Sequence, residues 1–429
     1  MNNTIDRTKL PLQANSINLN LVEPKLVTLD NGLKVYLIEA GEEDISRIDI
    51  VVKAGSAFQS KKLVASSVGR LLSEGTRNLS SSAIANKFDY FGAYFHTDIT
   101  KDTATLTLYS LTKHLPELLH IVGDMLVDAS FLQNELNTHL ERTKQEFLTN
   151  VEKVRYQAML EFNKLVFGAE SAYGQILEIE DFQKVNQEDL VDFYQKNYTL
   201  DNAYIIVSGK AGKRVSDLIN KHLGNGLRRL NGKQTKIKYT GIIGQKEMFV
   251  EKKDAMQSAI LVGRPMINKL HPDYNRFILL NTILGGYFGS RLMSNLREDK
   301  GFTYGVSSFT TNYVNGATFS IATEVNAQHT QAALDEIFNE MKLLREEKVS
   351  AEELELVKNY IYGAFLRNFD GPFALAERFQ SAKDFGLGFD YYLKSLDDIQ
   401  KVTSEELLET ANKYLDPEEM IRLVVGSMH

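Results

Sequence analysis

The stretch Val185–Gly209, VNQEDLVDFYQKNYTLDNAYIIVSG, returns in pattern and at equal length as Val402–Gly426, VTSEELLETANKYLDPEEMIRLVVG. Each opens on a polar residue followed by acidic ones, the arrangement that caps a helix N-terminus, and continues as an amphipathic helix. Each then passes a tyrosine (Tyr198, Tyr414) and an aspartate-containing turn, and closes on an apolar, β-branched strand ending in glycine. Both stand at the end of a half of the chain, which marks an internal duplication. Further pairs keep the same order. Thr105–Tyr109 (TLTLY) precedes helical patterns over 114–126 and 132–150, and Ala317–Thr323 (ATFSIAT) precedes patterns over 330–347 and 350–366. These strands alternate apolar and polar residues, so one face is expected in the core and the other in solvent. The fold expected is α+β: two homologous α/β-roll halves, each a mainly antiparallel sheet with helices packed on one face. The halves expected are 1–223 and 246–429, joined by a linker over 224–245 that holds five glycines, mixed charge and little periodicity.

Composition narrows the function classes. Of 429 residues, 43% are apolar and 24% charged, with a formal net charge of −7, which offers no electrostatic footprint for nucleic acid. The basic run through Lys210, Lys213, Arg214, Lys221, Arg228, Arg229, Lys233, Lys236 and Lys238 reads as a solvated helix followed by linker. The chain has no cysteine, which excludes disulfides, thiolate zinc sites and a cysteine nucleophile. No apolar run reaches the ~18 residues a membrane span needs. Residues 1–22 are polar and carry no apolar signal core, so the location expected is cytoplasmic, or periplasmic if a leader has been removed.

Familiar chemical motifs are missing. The eight histidines (His96, His114, His120, His139, His222, His271, His329 and His429) form no H-x-x-x-H, H-x-x-E-H or H-x-x-E-x-x-H. Helical zinc sites need ligands three or four residues apart, so that both imidazoles leave one face. There is no G-x-S-x-G elbow, Walker loop or G-x-G-x-x-G after a strand. The glycine-rich Gly285-Gly286-Tyr287-Phe288-Gly289 joins two helical patterns, 273–284 and 290–299, and reads as a tight joint that also lets backbone approach a ligand.

Three local sequences, with the duplicated halves, resemble the M16 (pitrilysin- and mitochondrial-processing-peptidase-like) zinc peptidases. Thr28–Glu39 (TLDNGLKVYLIE) followed by Val51-Val52-Lys53-Ala54-Gly55-Ser56 looks like the opening two strands of that family, and the next helix ends in Glu74-Gly75-Thr76 in its manner. In catalytic members this helix carries H-x-x-E-H. Counted back from Gly75-Thr76, those positions fall on Ser66, Gly69 and Arg70, and the third ligand, a glutamate, on Glu146. Serine is a poor neutral ligand, glycine has no carboxylate and arginine is a permanent cation. The resemblance therefore implies a degenerate zinc site, with no metal and no catalytic residue in this chain, and an ion pair is expected between Arg70 and Glu146. Asn281–Val306 (NTILGGYFGSRLMSNLREDKGFTYGV) is similar to the family's C-terminal motif, whose Arg/Tyr pair, here Arg297 and Tyr304, grips the substrate backbone. From the residues themselves, Arg297 falls in the last turn of a helix, Gly301 suits a left-handed C-cap and Tyr304 begins a returning strand. An arginine at a helix C-terminus and a tyrosine at a strand start are also ordinary structural choices.

The resemblance implies a non-catalytic subunit of a heterodimeric M16B-type zinc metallopeptidase, inactive alone. Its Arg297 and Tyr304 would hold an unfolded peptide, Gly285 and Gly286 would help admit it, and zinc with H-x-x-E-H would reside in a partner subunit. The peptide is expected to add as a strand to an exposed sheet edge. Three alternatives stay open: a scaffold like the core subunits of respiratory complexes, a homodimeric peptide-binding protein, and an enzyme with a different site around Glu146 and His96.

Overall fold

The computed structural model describes residues 21–224, 227, 237 and 245–427. The expected linker falls almost wholly outside them, as do Arg228, Arg229, Lys233, Lys236 and Lys238 of the basic run, and His429. The first half runs β1 (Lys25–Thr28), β2 (Lys34–Glu39), β3 (Ile45–Val52), α1 (Val64–Leu71), α2 (Ser81–Tyr90), β4 (Tyr94–Ile99), β5 (Ala104–Leu111), α3 (Leu115–Asp128), α4 (Gln133–Val151), α5 (Val154–Phe167), α6 (Gln187–Asn197), β6 (Ala203–Gly209) and α7 (Lys213–Leu223). The second runs β7 (Glu247–Glu251), β8 (Gln257–Pro265), α8 (Tyr274–Asn281), β9 (Val306–Tyr313), β10 (Gly316–Asn326), α9 (Thr330–Glu346), α10 (Ala351–Asn368), α11 (Pro372–Lys383), α12 (Tyr391–Lys401), α13 (Ser404–Tyr414) and β11 (Ile421–Gly426).

The duplicated segments organise both sheets. In each, a reciprocal capping box starts the helix. Asn186 Oδ1 accepts from the Asp189 N–H at 3.0 Å while Asp189 accepts from the Asn186 N–H at 3.0 Å, and Thr403 and Glu406 repeat the exchange at 3.2 and 3.0 Å. The strand that follows, β6 or β11, enters the interior of its sheet. The strand orders are β1-β2-β6-β3-β5-β4 and β7-β11-β8-β10-β9. Among the described residues each sheet has one parallel pair, β2 with β6 and β7 with β11, and its other neighbours run antiparallel. Both inserted strands leave on a glycine with positive φ, +91° at Gly209 and +150° at Gly426, where a side chain would strain the backbone.

One face of each sheet packs on helices of its own half. Val68, Leu118, Leu136, Leu190 and Ile219 from α1, α3, α4, α6 and α7 meet Ile48, Ile50 and Val207. Phe277, Ile337, Val357 and Leu407 from α8, α9, α10 and α13 meet Ile260, Val262 and Ile321. The opposite faces, expected in solvent, are buried, because each half lends one helix to the other. Leu375, Ala376 and Phe379 of α11 cover Tyr36, Ile38, Tyr204 and Ile206 of the first sheet. Ala158, Phe162 and Val166 of α5 cover Ala259, Leu261, Leu423 and Val425 of the second. Arg47, Asp49 and Thr107 on the first of these covered faces look solvent-facing by pattern but find partners inside. Arg47 and Asp49 on β3 are buried 2.8 Å apart, Thr107 donates to Asp49 at 2.6 Å, and Arg47 reaches Glu377 of α11 at 2.9 Å. Burial pushes the Asp49 carboxyl above its usual range, with the Arg47 guanidinium pulling the other way.

Candidate functional site

The positions equivalent to the zinc motif lie on α1, and each has a structural occupation. The Ser66 hydroxyl donates to the Leu63 carbonyl at 3.0 Å, within its own first turn. Gly69 is buried under β4. A Cβ there would lie 2.7 Å from Ile99 Cδ1 and 3.0 Å from Thr97 Cγ2, so the space for an acidic side chain is filled. Arg70 pairs with Glu74, just past the end of α1, at 2.7 Å, and Glu146 pairs with Arg142, one turn away on α4, at 3.1 Å. The expected Arg70–Glu146 pair is therefore replaced by two local pairs, each already available at i,i+4 spacing without fixing α1 against α4. His139 on α4 is half-buried with Nε2 lacking a partner, and burial, reinforced by the Arg70 and Arg142 charges, holds it below the usual imidazole range. A neutral hydroxyl, a bare backbone position and two guanidiniums do not fit a divalent zinc ion. Among the described residues no three His, Asp or Glu side chains converge as metal ligands.

Gly75-Thr76 has its own reason to be there. Gly75 sits at φ +136°, and Thr76 Oγ1 donates to Asp124 at 2.6 Å while accepting from the Asn78 and Leu79 N–H groups at 3.1 and 3.0 Å. This turn ties α1 to α2 and α3 whatever chemistry α1 carries.

The second half presents a different surface. After α8 the helix widens into a π-helical turn over Thr282–Gly286, and a second π-helical segment spans Met293–Asp299. Wide turns of this kind are rare and concentrate at functional sites. Gly285 and Gly286 of the expected tight joint are thus the last residues of a π turn. A Cβ on Gly285 would lie 2.8 Å from the Ser308 backbone N, which gives the glycine a packing role against β9. Arg297 stands in the last turn of the second segment. That segment closes with Gly301 at φ +63° and the Phe302 N–H bonded to the Leu296 carbonyl at 2.9 Å, a Schellman-type ending. The chain then reverses, and Tyr304 precedes β9 by two residues rather than beginning it.

Gly285, Gly286 and Tyr304 line one cavity of about 640 Å³ together with Phe288, Met293, Phe309 and, from α5 of the other half, Met159. Tyr304 is 95% exposed. The Arg297 guanidinium lies 4.5 Å from the centre of the Phe288 ring, which itself lines the cavity. Among the described residues neither Arg297 nor the Tyr304 hydroxyl has a hydrogen-bond or ion-pair partner, whereas Arg291, six residues before Arg297, is locked bidentately on Glu353 at 2.9 and 2.7 Å. Phe288 lies within the glycine-rich stretch visible in the sequence, but nothing in that stretch marks it as the residue beneath Arg297.

Comparison with known proteins bears on the family and the fold. Residues 34–166 match the family model described as insulinase (peptidase family M16), and residues 184–361 match the one described as peptidase M16 inactive domain. Relatives include the uncharacterized zinc protease YmxG of Bacillus subtilis, 23% identical over 80% of this chain and 83% of that one. The non-peptidase homolog YmxG of Helicobacter pylori is 24% identical over 89% and 88%. The mitochondrial-processing peptidase subunit beta of Saccharomyces cerevisiae is 20% identical over 93% and 90%. Among solved structures, a peptidase M16 inactive domain from Pseudomonas fluorescens superposes with a TM-score of 0.87 at 22% identity, covering 95% of this chain and 98% of that one. Two M16 models that together take in well over half of the sequence, on a fold shared nearly end to end, show that this chain belongs to the M16 peptidase family.

Proposed function

We propose that this chain is the non-catalytic, peptide-holding subunit of a two-chain M16 peptidase, whose partner carries H-x-x-E-H and zinc. The observation that carries the reading is the contrast between the two halves. The α1 positions are filled by packing and local pairs, while Tyr304 lines a cavity and Arg297 stacks on Phe288 in its wall, both with unspent donors among the described residues. A guanidinium and a phenol both donate to a carbonyl oxygen, so together they orient a peptide main chain and favour charge developing on it. A scaffold has no use for such donors. Gly285 and Gly286 would keep the cavity wall low enough for main chain to approach. The zinc, its activated water and the general base belong to the partner in this reading. A cytoplasmic location stays with it as a proposal.

The test is reconstitution with an H-x-x-E-H chain encoded in the same genome, followed by cleavage of an unfolded polypeptide. Arg297→Ala should slow cleavage about ten- to a hundredfold, the range for losing a charged donor, with assembly by gel filtration unchanged. Wild-type rates in that variant, or one zinc per chain in the purified subunit alone, would remove the assigned role.

A further inference from the structure

Among the described residues neither side chain of the pair has a hydrogen-bond or ion-pair partner, with Tyr304 exposed and Arg297 half-buried, and long side chains without partners ordinarily sample many rotamers. Two features of the structure counter this. The Phe288 ring lies under the Arg297 guanidinium at 4.5 Å. A cation stacked on a ring is held through its flat face, which leaves the N–H donors around its edge free. A carboxylate in the same place would consume those donors, as Glu353 does for Arg291. On the other side, the peptide groups flanking Tyr304 are pinned by two threonines. Thr303 Oγ1 lies 2.8 Å from the Glu324 carbonyl oxygen and accepts from the Gly305 N–H at 3.1 Å. Buried Thr323 on β10 places its hydroxyl 3.0 Å from Thr303 Oγ1 and 3.0 Å from the Gly305 carbonyl oxygen. The backbone on both sides of Tyr304 is thereby fixed to β10 while its ring projects outward.

We infer that Phe288, and the hydroxyl pair of Thr303 and Thr323, are positioning residues: they preset Arg297 and Tyr304 for a peptide carbonyl without using the donors that bind it. The inference rests on the peptide-holding reading and extends it to cavity-lining residues that act through Arg297 and Tyr304. Phe288→Leu removes the ring face and keeps an apolar side chain. Thr323→Val removes the hydroxyl and keeps the shape.

The experiment uses the reconstituted complex, with the partner's motif glutamate replaced so that nothing is cleaved, and anisotropy of fluorescein-labelled β-casein as the unfolded probe. Phe288→Leu should weaken binding about two- to fivefold, as expected for a cation–π contact open to solvent on one side. Phe288→Tyr should bind as wild type. In an Arg297→Ala background Phe288→Leu should have no further effect, because the ring acts only through the guanidinium. Thr323→Val should weaken binding about two- to tenfold, Thr323→Ser should restore it, and a Tyr304→Phe background should blunt the difference. An equal loss from Phe288→Leu with and without Arg297 would show that the ring meets the peptide itself and would overturn the inference. Unchanged binding in Phe288→Leu and Thr323→Val, while Arg297→Ala still weakens it, would overturn the inference and leave the peptide-holding reading standing. No effect from Arg297→Ala and Tyr304→Phe would end that reading first.

Discussion

Replacing Phe162 by alanine tests whether the two halves are one cooperative unit. Phe162 is 3% exposed on α5 and packs on the covered face of the second sheet with Leu261 and Leu423. Its ring tip lies 2.9 Å from where a Cβ on Gly263 would stand, so β8 has a glycine-shaped recess into which the ring fits. Fully burying a phenylalanine side chain is worth about 1.5–3 kcal/mol of transfer free energy. Measured truncations of buried phenylalanine fall at about 3–5 kcal/mol, because the cavity left behind adds to the lost transfer free energy unless the site collapses. A sheet pinned on both faces relaxes little, so the upper part of that range is expected. With no tryptophan and 19 tyrosines in the chain, urea unfolding is followed by tyrosine fluorescence alongside far-UV circular dichroism. Both probes should shift together in one transition. Hydrogen exchange should quicken in β8 and β11 as well as in α5, although the altered residue belongs to the first half. Two separated transitions, with the second sheet's protection unchanged, would refute the interlocked arrangement.

Two further predictions concern other parts of the molecule. Gly69→Ala should destabilise by about 1–3 kcal/mol through crowding on Ile99 and Thr97, and Ile99→Ala in the same chain should recover part of the loss; equal stability of Gly69→Ala and wild type in urea would show that α1 is not closed by β4. Asp384 on the turn after α11 has its carboxyl pushed up to about 6 by burial, only partly offset by the Tyr204 hydroxyl at 2.6 Å and the Lys53 and Lys269 charges. The folded state then binds the proton more tightly than the unfolded chain, so this group's contribution to stability falls as pH rises from about 4 to 6. Asp384→Asn, which keeps an acceptor for Tyr204, should flatten that stretch of the stability–pH curve and raise stability at pH 7. An unaltered curve would remove Asp384 from the account.

The duplicated capped helix and strand were legible because both signals are local: a polar cap with an acid three residues on, then a β-branched run ending in glycine. The covering of the sheets' opposite faces was not. Amphipathic period tells which side of α5 and α11 is apolar, but not that the sheet each meets belongs to the other half. The polar residues Arg47, Asp49 and Thr107 then read as a wetted face. At the site, the loss of the zinc ligands and the Arg297–Tyr304 spacing could be read from residue identity. The π turns could not, since hydrogen bonds five residues apart are chosen by packing against β9. The Arg70–Glu74 and Arg142–Glu146 pairs were visible as i,i+4 spacings, and a long-range pair was expected in their place.

The exchange of α5 and α11 also bears on how the polypeptide is made. Tyr36, Ile38, Tyr204 and Ile206 are complete as a surface once β6 has left the ribosome, yet the helix that shields them begins only at Pro372. For the time needed to translate the intervening residues, an oily sheet surface stands open in the nascent molecule, the kind of surface that invites aggregation or a chaperone. Truncating the gene between the halves would leave that surface bare for good, and the resulting fragment should be recovered as insoluble material.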